Sequence, residues 1–290
     1  MITMILDYTM NGVVIGSGYA LIAIGLTMIF GLMEIVNFAH GEFYMIGGFF
    51  AFYLVKLAGL NFFLCLMAAV AAVMLLGLVF NRLIFDRLRG KPIITTALVT
   101  IGLSIFLQNF TLYLLGATPK TIPSPFPRMP LNFGSIFITQ ERVFATLLTF
   151  AIIMGMHFFL KKTKAGKALR ATFQGKEAAA LVGINIERVY ALTFAAGVGL
   201  SATAGALLGS IFYITPTIGG MVTLKAFIVV ILGGMGSFPG AIVGGLTLGV
   251  AESLGAGFIS SAYKDAIGFV IVVVLLLFRP QGLFGTLIGK

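Results

Sequence analysis

Long apolar runs with few polar positions follow one another along most of the chain. They approach or exceed the ~20 residues that a helix rising about 1.5 Å per residue needs to cross a bilayer. The runs are Gly12–Met33, Phe62–Phe80, Ile93–Leu115, Val143–Leu160, Tyr190–Ile214 and Ala266–Phe278. They are continuous and lack the strict in-out alternation of a transmembrane β-barrel. The pattern predicts an all-α polytopic membrane protein.

Glycine-rich stretches interrupt this pattern at 31–48 and again at 232–249. The second stretch contains Pro239, so it predicts either one bent span or two short spans meeting at Gly236–Pro239. Paired broken segments are typical of transporter cores whose pathway lies between two repeats. We predict about eight transmembrane helices, give or take one, with glycine-broken segments, in a single domain over residues 1–290.

Composition agrees with this prediction, and charge adds an orientation. The chain is 59% hydrophobic and only 10% charged, against about 25% charged in soluble domains. Its net charge of +10 is concentrated in two connections, 82–91 and 161–176. Short basic loops mark the cytoplasmic face and contact anionic lipid, so we expect both loops to be cytoplasmic and expect no nucleic-acid binding. Arg279 and Lys290 favour the same side for the C-terminus.

The other segments set further expectations. The loop between the runs ending at Leu115 and starting at Val143 contains five of the nine prolines, which predicts an ordered, extended outer loop. The first run lacks a preceding basic region and is too long for a signal peptide, so it predicts a retained helix. Cys65 is the one cysteine, which excludes an internal disulfide and a cysteine-based metal site.

Residues 35–49, IVNFAHGEFYMIGGF, place polar groups between apolar runs. One hypothesis is that Asn37, His40 and Glu42 face a translocation pathway where the helix breaks at Gly41. A charge at mid-depth costs at least ~2.5–3.5 kcal/mol, so a function must justify it. The alternative hypothesis is that these residues form the internal end of the first hairpin at headgroup level. His40 has no partner at metal-ligand spacing, so no metal is expected.

The stretch GKEAAALVGINIERVY, 175–190, lies on the basic side. Glu177 suits a helix N-terminus, and Gly183 suits a left-handed cap. The pattern predicts a cytosolic helix of about two turns. Such a helix could lie on the lipid surface or fill a groove on a soluble partner.

Glu177-Ala178-Ala179 followed by Gly183 resembles the EAA-x-x-x-G loop of binding-protein-dependent ABC importers. Residues 11–49 and 232–253 are similar to segments of the permeases of branched-chain amino acid importers, closest to the first of the two paired permeases. The resemblance covers essentially the whole chain, although no proline follows Gly183 as in the family pattern. It implies the ABC importer permease fold, with a coupling loop at 161–189. It further implies that a short helix docks on the ATPase through Glu177, Ala178, Ala179, Gly183 and Ile184.

The partners implied are a second permease subunit, two ABC ATPase subunits and an external solute-binding protein, in the bacterial inner membrane. The chain has no P-loop motif, so ATP would be used by the partners, and no cofactor or enzymatic activity is expected here. The hypothesis for the pathway covers Asn37, His40, Gly41, Glu42, Gly47, Gly48, Gly233, Gly234, Gly236 and Gly240.

We therefore expect an importer permease for branched-chain, neutral aliphatic amino acids that works by alternating access. Permeases for urea and short amides look similar in the same glycine-rich segments, so that cargo stays an alternative. A self-sufficient channel or ion-coupled carrier is the other alternative, and its candidate coupling groups are Glu42, Lys225 and Glu252.

Overall fold

The computed structural model describes residues 1–59, 61–126, 130–133 and 136–285. Its helices are α1 (Ile2–Met33), α2 (His40–Ala58), α3 (Phe62–Phe80), α4 (Asp86–Leu88), α5 (Ile93–Leu115), α6 (Gln140–Lys162), α7 (Lys164–Gln174), α8 (Lys176–Leu181), α9 (Ile186–Ile211), α10 (Ile218–Gly233), α11 (Phe238–Phe258) and α12 (Lys264–Phe278). A π-helical turn, Asn81–Phe85, joins α3 to α4. Strands β1 (Pro130–Phe133) and β2 (Ile136–Thr139) form an antiparallel hairpin. Lys290 lies outside the described residues.

The helix boundaries follow side-chain caps and glycines. The apolar runs Phe62–Phe80 and Ile93–Leu115 coincide with α3 and α5. The run predicted from Tyr190 begins earlier, at Ile186, because the side chain of Asn185 accepts a hydrogen bond from the Arg188 backbone N–H. Polar caps of this kind satisfy N–H groups that the first turn leaves unpaired.

The predicted all-α membrane architecture is confirmed. Among the described residues, seven helices are long and apolar enough to cross a membrane: α1, α3 with its extension to Leu88, α5, α6, α9, α11 and Ser261–Phe278. A further apolar helix, α10, has 16 residues, and α2 carries His40, Glu42 and Lys56. The estimate of about eight spans is therefore close.

Helices α1 and α9 form the centre of the bundle. Their most apolar windows are 83% buried, against 22% in α5 and 17% in α6, whose apolar side chains face outward. The crossing of α1 with α11 depends on glycine. A Cβ on Gly16 would lie 2.7 Å from the Gly245 carbonyl oxygen, and one on Gly249 would lie 2.4 Å from the Gly16 Cα. Small residues four apart on each helix thus let the two backbones touch, as their spacing indicates.

The late glycine segment forms two separate helices. α10 ends at Gly233, and α11 begins after the N-cap Ser237, whose side chain accepts a hydrogen bond from the Gly240 N–H. Pro239 lies in the first turn of α11, where its missing N–H costs nothing. The alternative of one bent span is wrong, and the break lies at 234–237.

The proline-rich loop is more structured than predicted. It contains the β1–β2 hairpin, and Lys120 pairs with Ile214 in an isolated antiparallel bridge. Residues 127–129 and 134–135 of this loop lie outside the described residues.

A buried ionic cluster joins three helices. Lys225 on α10 pairs with Glu252 on α11 and with Asp265 on α12, the latter at 2.9 Å between Nζ and Oδ1. The Tyr19 hydroxyl donates to Glu252 Oε2 at 3.0 Å. Glu252 is fully buried. Each charge is thus compensated within the bundle.

Breaking this cluster should destabilise the protein. Glu252→Leu leaves Lys225 with the half-exposed Asp265 as its remaining partner, so the loss should approach but not exceed the about 3–5 kcal/mol of a fully broken buried pair. The midpoint temperature of thermal unfolding in detergent should fall strongly for Glu252→Leu. The double variant Lys225→Met with Glu252→Leu should be more stable than Glu252→Leu alone, because the buried Lys225 charge that lost its buried partner is then removed as well. A double variant as unstable as the sum of the two single variants would contradict this coupling.

Candidate functional site

The structure brings the last residues of the two basic connections to one end of the bundle. Arg89 and Lys91 from the first connection and Lys176 from the second line one open vestibule of about 1040 Å³. The Arg89 guanidinium lies over the Tyr190 ring, 4.3 Å from its centroid. We call this end of the molecule the basic end.

The chain turns back into the bundle after α1. Glu34 has a φ of 58°, and its N–H donates to the Phe30 carbonyl, which ends the helix. Among the described residues, it is the one non-glycine residue with a positive φ. Residues 34–39 are not helical, and α2 begins at His40.

His40 fixes the depth at which α2 begins. Its Nε2 lies 3.1 Å from the Ile22 carbonyl oxygen, eleven residues before the end of α1 at Met33, or about 16 Å along the helix. The Ser201 hydroxyl donates to the His40 carbonyl, ten residues before the end of α9 at Ile211, or about 15 Å from that end. α2 therefore starts near the middle of a ~30 Å hydrocarbon core.

A second broken segment meets the first. After α9, residues 212–217 lead into α10, whose first turn packs on that of α2. The Gly41 N–H donates to the Thr223 hydroxyl at 2.8 Å, and a Cβ on Gly41 would lie 2.1 Å from the Gly219 carbonyl oxygen. The N-termini of α2 and α10 thus face each other inside the bundle.

The counterpart of the 34–39 break is therefore 212–217. The sequence suggested 232–249 as the counterpart instead, and that pairing is wrong. The sequence led to the wrong segment because its glycines lie in the tight α10–α11 turn. Residues 212–217, FYITPT, contain no glycine.

Asn37, His40 and Glu42 are all fully buried, whereas Glu34 is exposed. This burial, with α2 starting about 16 Å along α1 from its end at Met33, favours the pathway hypothesis over the headgroup-level alternative. Hydroxyl groups hold their backbone: the Phe38 N–H donates to Thr100 Oγ1 at 3.2 Å, and Thr100 Oγ1 donates to the Val36 carbonyl at 3.0 Å. Asn37 Oδ1 accepts from the Ala39 N–H at the start of α2.

Glu42 lies between α5 and α10. Ser104 on α5 donates to Glu42 Oε1 at 2.8 Å. Within the described residues, Oε2 has no hydrogen-bond partner, and it lies against the first turn of α10, where a Cβ on Gly219 would come within 2.1 Å of it. A helix N-terminus carries partial positive charge, which favours an acidic group there.

The remaining predicted pathway glycines divide between two places. Gly47 and Gly48 lie on α2 against Ala202 and Ile214. Gly233, Gly234, Gly236 and Gly240 form the α10–α11 turn at the basic end, where Gly236 lines the vestibule. The structure thus separates the ten predicted residues into a mid-depth group and a basic-end group.

The predicted short helix is present as α8, six residues long, after the extended residue Gly175. Gly183 ends it with a φ of 86°, as the left-handed cap prediction requires, and its N–H donates to the Ala180 carbonyl. The Ile184 N–H donates to the Ala179 carbonyl at 3.1 Å. Glu177 and Ala178 are exposed, whereas Ala179 is buried against the bundle.

The helix α8 is tied to the end of α1. Lys176 Nζ lies 2.8 Å from Glu34 Oε1. Just before α8, the Phe173 ring packs on Gly31, where a Cβ would lie 2.4 Å from the ring. Partial burial lowers the pKa of Lys176, but hydrogen bonds and charge interactions with Glu34 and Tyr190 outweigh that effect and raise the pKa above its ordinary value. Lys176 therefore stays charged at neutral pH.

Sequence reasoning missed Ser104, Thr100, Thr223, Ser201 and Gly219. Four of these carry hydroxyl groups within apolar helices, where the hydroxyl can also bond its own helix backbone. Thr100 and Ser104 lie four residues apart on α5, and Gly219 and Thr223 lie four apart on α10, but no spacing in the sequence shows that α5, α9 and α10 meet around α2.

Comparison with known proteins decides the family. Residues 8–277 match the model of the family described as branched-chain amino acid transport system / permease component. The chain belongs to this family. It is 38% identical, over 97% of its length and 95% of theirs, to LivH of Salmonella typhimurium and to BraD of Pseudomonas aeruginosa. Both are named high-affinity branched-chain amino acid transport system permease proteins.

The permease LivM of Escherichia coli is more distant. It is 27% identical over 91% of this chain and 67% of its own length. The predicted resemblance to the branched-chain permeases is thus confirmed, and the protein is a multi-pass membrane permease.

Proposed function

We propose that this permease is the first of two paired membrane subunits in an ATP-driven importer for branched-chain, neutral aliphatic amino acids. Its relatives LivH and BraD, which support this cargo, are named for such transport. The proposed partners are a second permease, two ABC ATPase subunits and an external solute-binding protein. The proposed location is the bacterial inner membrane, with the basic end in the cytoplasm, where loops rich in Lys and Arg remain.

The observation that carries the proposal is the exposed helix α8 and its attachment to the broken helix. Leu181 is 89% exposed and Val182 is 76% exposed at the end of α8. Such apolar side chains beside Glu177 suit insertion into a groove on a soluble subunit. In this proposal Glu177, Ala178, Ala179, Gly183 and Ile184 form or shape the docking surface.

Force from the ATPases would reach the interior through a short chain of contacts. α8 moves Lys176, and Phe173 moves with it, so both press on the end of α1 at Glu34 and Gly31. The segment 34–39 follows directly and ends at the first turn of α2. Because α2 and α10 meet through glycine, a small displacement can part their N-termini and open the pathway to one side. A surface ion pair contributes less than ~1 kcal/mol. The Lys176–Glu34 pair therefore orients α8 relative to α1 but cannot by itself hold the two together.

The ion-coupled carrier is the weaker alternative. Of its three candidate groups, Lys225 and Glu252 compensate each other, and Asp265 completes their cluster. A carrier of this kind would also leave α8 without a role.

Reconstitution of the complete complex tests the cargo. The external protein is titrated with leucine, isoleucine, valine and urea, and uptake into proteoliposomes is measured with ATP inside. We expect saturable uptake of the three amino acids and none of urea. Tight binding and uptake of urea alone would overturn the amino-acid assignment.

A further inference from the structure

A groove with a volume of about 710 Å³ lies between α6 and α11, and α7 borders its mouth. Its α11 wall begins at Phe238, directly after Gly236 and Ser237, which line the vestibule at the basic end. The groove therefore opens at the basic end, although it shares no lining residue with the vestibule. We call it the α6–α11 groove.

The length of the groove matches the depth of one membrane leaflet. Along α6 its lining runs from Phe150 through Ile153, Met154 and His157 to Lys161. Spacings of three and four residues place these side chains on one face of the helix. The eleven residues from Phe150 to Lys161 cover about 16 Å, and half of the hydrocarbon core is ~15 Å thick.

The two ends of the groove differ in polarity. Its deep end is apolar, with Phe150 and Ile153 on α6 and Ile242 on α11. Its mouth carries Lys161 and Arg170, and Arg170 Nη2 donates to the Lys161 carbonyl oxygen at 3.3 Å, which holds the guanidinium beside the end of α6. The groove thus has a cationic mouth above an apolar shaft.

The protein leaves the two cations at the mouth without an anion. No Asp or Glu occurs anywhere from residue 150 to residue 176. In the part of the chain that the structure describes, neither Lys161 nor Arg170 forms an ion pair. An anionic ligand is therefore the complementary occupant of the mouth.

We propose that the α6–α11 groove binds an anionic phospholipid of the leaflet at the basic end. The phosphate lies between Lys161 and Arg170, whose planar guanidinium suits phosphate oxygens. One acyl chain lies along Phe150, Ile153 and Ile242 toward the bilayer centre. Basic pockets between transmembrane helices select anionic headgroups in this way. The site goes beyond the proposed function, because it is independent of the cargo.

The charges at the mouth favour a lipid over a protein subunit as the occupant. Lys161 and Arg170 are both exposed, and a bound phospholipid leaves their charged groups at the water interface, where such side chains are stable. A protein that covered the groove would remove both cations from water, and only added acidic groups would offset that cost.

Tryptophan fluorescence tests the site directly, because the chain contains no native tryptophan. Met154→Trp places a single reporter in the groove, and Met154 is 55% exposed, so the larger side chain fits without displacing the bundle. In vesicles, phosphatidylglycerol with brominated acyl chains should bind beside this reporter and quench it at least about fivefold more effectively than brominated phosphatidylcholine, the effect of one cation near the membrane surface. Phe150→Trp, at the deep end, is a second reporter and should show the same preference.

A reporter outside the groove gives the matched control. Val273 on α12 is 58% exposed and lies six residues before Arg279, much as Met154 lies seven residues before Lys161. Val273→Trp should show a preference for phosphatidylglycerol of less than about twofold, because one cation and no groove lie near it.

Charge variants in the Met154→Trp background identify the headgroup contacts. Lys161→Gln with Arg170→Gln should remove the preference, whereas Lys161→Arg with Arg170→Lys should retain it because both charges remain. Lys164→Gln with Lys167→Gln removes the same charge from exposed positions of the same connection outside the groove, and it should also retain the preference. Inorganic phosphate should not reverse the quenching, since it has no acyl chain.

Four results would overturn the lipid site. Equal preferences at Met154→Trp and Val273→Trp, or equal losses from the two glutamine double variants, would mean general attraction to a basic surface. Reversal of the quenching by inorganic phosphate would mean a site for the anion alone. Loss of the quenching when the second permease is present would mean that the groove is a subunit contact. None of these results concerns leucine uptake, so the proposed function is tested separately.

Discussion

Replacing Gly183 with valine is expected to abolish the ATP hydrolysis that substrate-loaded binding protein stimulates, while the permease still inserts in the membrane. Gly183 has a φ of 86°, which costs an L-residue roughly 1–2 kcal/mol and which a β-branched residue tolerates poorly. The cap bonds from the Gly183 and Ile184 N–H groups would then be lost, and the six-residue helix α8 has little else to hold it. Stimulated ATPase activity of the purified complex is the measurement.

The bundle supplies a matched control for this substitution. Gly116 has a φ of 75° and, like Gly183, meets no atom within 4 Å of an added Cβ, but it follows α5 and not α8. Gly116→Val should therefore retain stimulated hydrolysis. Glu177→Lys should lose it like Gly183→Val, because Glu177 is exposed on α8. Normal transport by both Gly183→Val and Glu177→Lys would mean that α8 lies on the lipid surface and docks on no ATPase.

Gly41→Ala is expected to eliminate uptake and to lower the stability of the permease. The new Cβ would lie 2.1 Å from the Gly219 carbonyl oxygen and 2.7 Å from the Thr223 nitrogen. Both are backbone atoms, so the clash can be relieved only by moving α10 away from α2. Overpacking of this kind typically costs about 1–3 kcal/mol. Thermal unfolding in detergent and leucine uptake by the complex are the two measurements.

The control for Gly41→Ala is Gly102→Ala, near mid-span of α5, where an added Cβ meets no atom within 4 Å. We expect this variant to match wild type in both measurements, or to be slightly more stable because alanine favours the helix. If Gly41→Ala had the unfolding temperature and the leucine uptake of wild type, the N-termini of α2 and α10 would not meet as closely as the structure places them.

The spans were predictable because a bilayer imposes a simple rule on sequence. A run such as Ile93–Leu115 must be predominantly apolar to cross the hydrocarbon core, and its helix is flanked by Pro92 and Gly116. The short helix α8 was predictable for a local reason as well, since Gly175 and Gly183 bracket a short run of good helix formers.

The mid-depth site was only partly predictable. Asn37, His40 and Glu42 could be identified as candidate functional residues because polar groups are costly in an apolar run. Their depth could not be read from the sequence, since it depends on the contact of His40 with the Ile22 carbonyl. The partners of Glu42, namely Ser104 and Gly219, come from helices far along the chain, and their types are ordinary in any membrane helix. The break at 212–217 carries no glycine; Thr215-Pro216 predicts a turn there, but nothing in the sequence indicates that this turn meets the 34–39 break.

In the proposed mechanism, this chain lacks its own energy source and is driven through α8 by separate ATPase subunits. Accumulation of radiolabelled leucine should be measured in proteoliposomes that contain this chain alone, with sodium and proton gradients imposed in turn, and in proteoliposomes that contain the complete complex with ATP. We predict accumulation above the external concentration only with the complete complex and ATP. Accumulation against a gradient by the chain alone would contradict the account.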